Sequence, residues 1–271
     1  MEFVKAHGTG NDFVVVEDLN DHYQLTPELV RAVCDRHFGI GADGVIRIAP
    51  GTDAPYLMDY RNADGSLAEM CGNGVRVVGK YLGDRGLVGG AFDLETRAGV
   101  KHLELHADDG GCIDRVTVDM GAPTLGDDQT LEVDGERVTA TCLSMGNPHA
   151  VVFVEDVDKA PVTTLGPRLE THQAFLPAKT NVEFAQVVDR STVRQRTWER
   201  GVGETLACGT GACAVAVAAQ VRGLAGRPVT IDLRGGRLEL DWIPGGTVRM
   251  TGPAREVAHG TLTDAFLASV R

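Results

Sequence analysis

Cys71 and Cys208 sit in matching frames, Met70-Cys71-Gly72-Asn73-Gly74 and Ala207-Cys208-Gly209-Thr210-Gly211, 137 positions apart in a chain of 271. A thiol followed by glycine and other small residues suits proton transfer. If each cysteine stands at a helix start, free backbone N–H groups and the positive end of the helix dipole stabilise a thiolate. They lower the thiol pKa from about 8.5. The same N–H groups bind a carboxylate or an enolate-like oxyanion, and glycine lets a substrate approach that backbone closely. Two such helix starts facing each other would surround an amino-acid carboxylate with donors and present a sulfur to each face of its α-carbon. One ionised and one protonated thiol then remove a proton from one side and replace it from the other. A lone buried cysteine is usually a small core residue; a duplicated Cys-Gly-x-Gly argues for chemistry.

The register extends beyond the thiols. Asn62 lies nine positions before Cys71 and Glu199 nine before Cys208, while Asn11 and Asn147, each after a glycine, lie 60 and 61 before their cysteines. A two-fold internal repeat with a period near 136 implies two similar domains. We expect the first over 1–117, with a tail, 259–271, returning to it, and the second over 118–258.

These thiols must be carried by ordered elements. The first half reads as strands at Glu2–Ala6 and Phe13–Glu17, then a helix starting at Thr26-Pro27-Glu28, with Leu29, Val30, Val33, Cys34 and His37 on one face. Strands at Gly44–Ile48 and Tyr56–Arg61 precede a predicted helix at Gly74–Leu82, and three alternating segments at Phe92–Thr96, Lys101–His106 and Asp114–Asp119 follow. The second half opens on a hairpin signal, Asp134-Gly135, with strands at Ala150–Val154, Val182–Val188 and Val193–Glu199. Gly211–Val221 is Ala/Val-rich on every face and predicts a helix buried in its own domain. Strands at Val229–Leu233, Arg237–Trp242 and Val248–Thr251 run towards the amphipathic tail. The expected fold class is α+β: two pseudo-symmetric domains, each a mostly antiparallel, barrel-like sheet around a central helix.

Composition narrows the function. A net charge of −12 argues against nucleic acid or an anionic membrane as partner. No segment reaches the roughly 20 apolar residues that span a bilayer, and the N-terminus has no cleavable hydrophobic region. The six cysteines are therefore expected to stay reduced in the cytoplasm. No C-x-x-C pair and no histidine spacing suits a metal, so no metal and no cofactor are expected.

At this point the motifs resemble diaminopimelate epimerases, cofactor-independent amino-acid epimerases of lysine and peptidoglycan precursor synthesis. The matching segments are HGTGNDF (7–13), FGIGADG (38–44), RNADGSLAEMCGNGVR (61–76), MGNPHAV (145–151), TNVEF (180–184) and WERGVGETLACGTGACA (198–214). The resemblance implies an active site in the cleft between two domains, normally in a homodimer. It makes Cys71 and Cys208 the acid/base thiols that interconvert LL- and meso-diaminopimelate. It also places Asn11, Asn62, Asn147, Asn181, Glu199 and Arg200 against the substrate. Gly72, Asn73, Gly209 and Thr210 cradle the reacting carboxylate, and His149 and Glu199 help to tune the thiols. Arg200 suits a distal carboxylate, Glu199 an ammonium, and the asparagine amides both. One departure is Gly44, where many members of that family carry glutamine, so any contact of that side chain is absent.

Two rivals can be weighed. Gly209-Thr210-Gly211-Ala212-Cys213-Ala214, with Asp232 downstream, fits a dinucleotide fingerprint, but it follows a turn-like stretch and lacks the strand–helix–strand frame. Gly39–Gly44 fits too, yet precedes a strand. A protein that merely clamps an amino acid would share the binding residues and have no use for both thiols.

Overall fold

The chain, in a computed structural model that describes residues 1–270, folds as two units, Met1–Val118 with Gly252 onward, and Asp119–Thr251. In chain order the first unit contains β1 (Glu2–Gly8), β2 (Asn11–Glu17), α1 (Pro27–Cys34), β3 (Gly44–Pro50), β4 (Tyr56–Asn62), α2 (Gly72–Asp84), β5 (Ala91–Thr96), β6 (Gly99–Ala107) and β7 (Ile113–Asp119). The second contains β8 (Thr124–Leu125), β9 (Gln129–Val133), β10 (Glu136–Ser144), β11 (Pro148–Phe153), α3 (Val162–Glu170), β12 (Asn181–Asp189), β13 (Thr192–Glu199), β14 (Gly203–Thr205), α4 (Gly209–Val221), β15 (Val229–Leu233), β16 (Gly236–Trp242) and most of β17 (Val248–Pro253). Strand β18 (Arg255–Thr261) and helix α5 (Asp264–Ser269) belong to the first unit.

The strands of the two units repeat one pairing scheme. From β1 to β7 the successive pairs are antiparallel, parallel, antiparallel, parallel, antiparallel, antiparallel. The series β10, β11, β12, β13, β15, β16, β17 follows the same order of signs. Each parallel step needs a crossover, and helices supply it at matching places: α1 and α3 after the second strand, α2 and α4 after the fourth.

Local sequence explains most of these elements. The Thr26 hydroxyl accepts from Leu29 N–H at 3.2 Å, and Pro27 suits the first turn, so α1 starts there and buries Val30, Val33 and Cys34. It stops at Cys34 because the Asp35 carboxylate draws the N–H groups of His37 and Phe38, both at 2.8 Å. His37, expected on the apolar face, thus lies beyond the helix and is exposed. The Asp134-Gly135 hairpin joins β9 and β10, with both residues at positive φ.

Three features differ from expectation. Helices α2 and α4 each begin two residues early, so Cys71 and Cys208 are themselves the N-caps. Helix α3 has no sequence signal, since Gly166 and Pro167 interrupt it. It forms because Gly166 lets it press onto β13, where an added Cβ would sit 2.7 Å from Trp198 Cβ. Strand β18 pairs along β1, so the return to the first unit begins at Gly252 and not at 259. Leu262, with Phe266 and Leu267 of α5, then packs on Val14, Val16 and Val30.

Helix α4 is buried from Ala212 to Ala219 and so cannot shift without moving its neighbours. Ala216→Leu is expected to overpack it and lower stability by about 1–3 kcal/mol in urea unfolding. An unchanged midpoint would show that the surroundings of α4 have slack.

Candidate active site

Both cysteines share one backbone solution. Cys71 has φ −139° and ψ 112°, and Cys208 has φ −115° and ψ 112°; in each case an extended residue leads directly into the helix. The first helical N–H groups are therefore left facing the space beside each sulfur. The preceding turns match as well: Gly10 and Gly146 take φ of 84° and 93°, a left-handed conformation that glycine adopts freely, and deliver Asn11 and Asn147.

In the first unit, the Cys71 thiol donates to Asn11 Oδ1 at 3.4 Å, which also accepts from Asn73 Nδ2 at 3.2 Å. Asn11 Nδ2 donates to Asp43 Oδ2 at 2.8 Å, and this bond fixes which end of the amide faces the sulfur. Asp43 is held by Arg36 at 2.8 Å, and Arg36 and Lys5 also pair with Asp12, holding its carboxyl far below the ordinary range despite burial. Beneath the helix start, the fully buried Arg76 donates to Asn73 Oδ1 at 2.8 Å and to Gly72 O at 3.2 Å. Asn62, the last residue of β4, pairs with Gly44 next to Asp43, and its amide donates to Ser66 Oγ at 3.0 Å. At Gly44 a Cβ would fall 2.5 Å from Tyr60 Cε2 and closer still to Arg61 O, so this backbone has no room for glutamine.

In the second unit, Cys208 Sγ accepts from Gly211 N–H at 3.4 Å and lies 3.6 Å from Thr210 Oγ1. Asn147 Nδ2 donates to Thr210 Oγ1 at 3.3 Å, while Asn147 Oδ1 faces His149 Nε2 at 3.0 Å. His149 Nδ1 contacts Glu183 Oε1 at 2.8 Å, with both side chains fully buried. Glu199 accepts from Thr205 Oγ1 at 2.5 Å. Asn181 is buried and staples two segments: its Nδ2 donates to Pro148 O and its Oδ1 accepts from Arg200 N–H. Arg200 is exposed, with Nη1 on Ala178 O. Its loop is tied by the buried Glu170, which accepts from Gly201 N–H and Trp198 Nε1.

The electrostatics of Cys208 run against the expectation from helix dipoles. Burial, then the charges of Glu199 and Glu183, push its thiol well above the ordinary value, outweighing the bonds from Thr210 and Gly211. Desolvation exceeds the benefit of one helix end, so this unit favours the protonated thiol. Glu199 is raised too, by burial first and by the charge of Glu183, against the Thr205 hydroxyl. Cys34 and Cys142, pushed by burial to about 12 and about 11, are inert core thiols. No cluster that could hold a metal occurs among the described residues.

Sequence reasoning passed over Asp43, Arg76, Thr205, Glu170 and Glu183. Glu183 carried a readable signal, a carboxylate at a core-facing position of an apolar strand. The others declare themselves only through contacts distant in sequence.

Comparison with known proteins places this geometry. A diaminopimelate epimerase family model matches residues 3–126 and 141–257. A diaminopimelate epimerase of Moorella thermoacetica is 49% identical, over 96% of this chain and 98% of its own. That of Leptospira biflexa is 47% identical with the same coverage, and one from Methanococcus maripaludis is 44% identical over 97% and 99%. Among solved structures, a probable proline racemase from Agrobacterium radiobacter aligns with a TM-score of 0.75 at 18% identity, over 97% of this chain and 93% of its own. A hydroxyproline epimerase from Agrobacterium vitis aligns at 0.71 and 17%, over 96% and 90%. At such identities these two speak for the fold.

Two outcomes test the second-unit geometry. A Cβ at Gly211 would lie 2.7 Å from Glu183 Oε1 and 3.2 Å from Cys208 Sγ, so Gly211→Ala must displace the carboxylate or the sulfur. Its turnover is expected to fall by roughly a hundredfold, since misplacement by about 1 Å has that effect; wild-type turnover would contradict the packing. The second concerns pH. Glu199 is raised in the folded state, so its ionised form costs stability above that raised pKa, and the cost is relieved as pH falls through it. Glu199→Gln is therefore expected to gain Tm over wild type near pH 8 and to lose that advantage towards pH 4. A difference independent of pH would refute the assignment.

Proposed function

The chain belongs to the diaminopimelate epimerase family, and on that premise we propose that Cys71 and Cys208 act as its two acid/base groups. The protein is an isomerase that interconverts LL- and meso-diaminopimelate, in the synthesis of lysine and of peptidoglycan precursors. One thiolate takes the α-proton as the opposite thiol delivers its own, so the proton count of the pair is unchanged and the α-carbon inverts. The roles exchange with the direction of reaction.

The observation that carries this reading is the pair of N-cap cysteines with unlike partners. Cys71 is posed as a donor, towards Asn11 Oδ1, and Cys208 as an acceptor from Gly211 N–H. Two chemically equal groups thus have unlike hydrogen-bond surroundings. Glu199, the charge that acts most strongly on Cys208, takes that thiol's proton and leaves a thiolate. As the α-proton leaves, negative charge grows on the substrate carboxylate. The helix-start N–H groups at Gly72, Asn73, Gly209 and Thr210 are preorganised donors for that charge, in place of a metal or pyridoxal phosphate. Asn11, Asn147 and Asn62 bind polar groups of the substrate, and Arg200, placed by Asn181, takes the distal carboxylate as a two-pronged donor. His149 supports the second thiol through Asn147. The enzyme works in the cytoplasm, where reducing conditions keep both thiols free, and as a homodimer. No helix among the described residues is long and apolar enough to cross a membrane.

The test is proton NMR of LL- and meso-diaminopimelate in deuterated water with a chelator present. Wild-type protein is expected to exchange the α-proton while interconverting the isomers. Cys71→Ala and Cys208→Ala are each expected to lose turnover by about a thousandfold, the scale of a lost acid or base. Full activity in either variant would rule out two-thiol catalysis.

A further inference from the structure

Glu183 is a fully buried carboxylate to which the mechanism above gives no part. Its Oε1 contacts His149 Nδ1 at 2.8 Å, and its Oε2, also buried, has no hydrogen-bond partner among the described residues. A buried carboxylate with one oxygen unmet is an expensive arrangement, so its presence needs a reason.

The internal duplication shows that the fold itself does not require it. In the matched parallel pairs, His149 is the second residue after Asn147, as Phe13 is after Asn11, and Glu183 is the third residue of β12, as Ile46 is of β3. The packing agrees: a Cβ on Gly74 of α2 would meet Ile46 Cδ1 at 3.0 Å, and one on Gly211 of α4 would meet Glu183 Oε1 at 2.7 Å. The same place under the catalytic helix thus holds the apolar pair Phe13 and Ile46 in one unit and the polar pair His149 and Glu183 in the other. Replacing a buried ionic pair by well-packed apolar residues is often neutral or stabilising. A polar pair kept where the sister unit is apolar points to chemistry.

We propose that Glu183 is a positioning residue for the epimerisation, acting through His149 to orient the Asn147 amide at the start of α4. Glu183 Oε1 fixes the ring of His149 at Nδ1 and so aims Nε2 at Asn147 Oδ1, 3.0 Å away. With its oxygen engaged, Asn147 turns its NH2 outward to Thr210 Oγ1, at 3.3 Å. Thr210 Oγ1 lies 3.6 Å from Cys208 Sγ, where the reacting carboxylate gains negative charge. The titratable groups facing this chain are Glu183 from β12, Glu199 from β13 and Cys208 from α4; Gln195 and Thr197 on β13 are neutral. Without Glu183 the ring is free to turn, and the amide to present its oxygen to a developing oxyanion, which raises the barrier more than it weakens ground-state binding.

The inference rests on the two-thiol reading and is tested separately from it. If wild-type protein fails to exchange the α-proton, that reading fails; if wild type exchanges and Glu183→Gln does too, only this inference fails. Glu183→Gln is expected to lower kcat by roughly tenfold or more with KM changed by less than about threefold, at undiminished Tm. The 15N signals of the His149 ring are expected to shift with it. In a His149→Gln background the same change is expected to add nothing, because Glu183 acts through that ring. A second variant, His149→Phe with Glu183→Ile, transplants the first unit's pair and is expected to fold with a Tm at or above wild type while kcat falls. Wild-type kcat in Glu183→Gln, additive losses in the double variant, or failure of the transplanted pair to fold would each overturn the proposal.

Discussion

The free N–H groups at a helix start must be met by something, and in both units the residue at that position is a cysteine. Serine, threonine, aspartate or asparagine would cap more strongly, typically by about 1 kcal/mol over an inert residue. Sulfur is the weaker acceptor, so these helix starts keep donor capacity for a visitor. What holds the helices in place is burial: α4 is enclosed from Ala212 to Ala219, and α2 buries Val75, Val77, Val78 and Leu82. The apolar core therefore makes an undercapped helix end tolerable, and the undercapped end is where an anion is welcome.

Duplication supplied two copies of this device, and charge then made them unlike. Beneath the first helix start lies Arg76, bonded to Gly72 O and Asn73; at the corresponding position of α4 stands Cys213, buried and small. Beneath the second lie Glu183 and, at its edge, Glu199. A guanidinium lies under one cap and carboxylates near the other, so two chemically identical side chains have different electrostatic surroundings. A symmetric pair of thiols would have no preferred starting state, whereas here the backbone repeats and the electrostatics do not.

Elements whose signals are local were legible in the sequence. The capping threonine of α1 and the Asp134-Gly135 hairpin stand where turn chemistry puts them, and the all-apolar stretch of α4 is the buried helix its composition predicts. Helix α3 was hidden because Gly166 and Pro167 argue against a helix, and only the close approach to Trp198 favours one. The two-residue shift in the starts of α2 and α4 has the same origin: small residues after each cysteine carry no helical signal of their own, and enclosure by the sheet makes them helical.

The site divides along the same line. Sequence alone determined the two thiols, the repeat that pairs them, and the asparagines and glycines in their frames, because the period and the spacing are properties of the chain. Tertiary structure decided how each amide is turned: Asp43 leaves the Asn11 oxygen to the Cys71 sulfur, and His149 leaves the Asn147 NH2 to Thr210. It also decided that Cys208 favours the thiol, since desolvation depends on what the fold packs around a group and not on its neighbours in sequence. Capping is local, whereas burial and buried charge belong to the whole fold, and the first is written along the chain while the second exists only once the chain has folded.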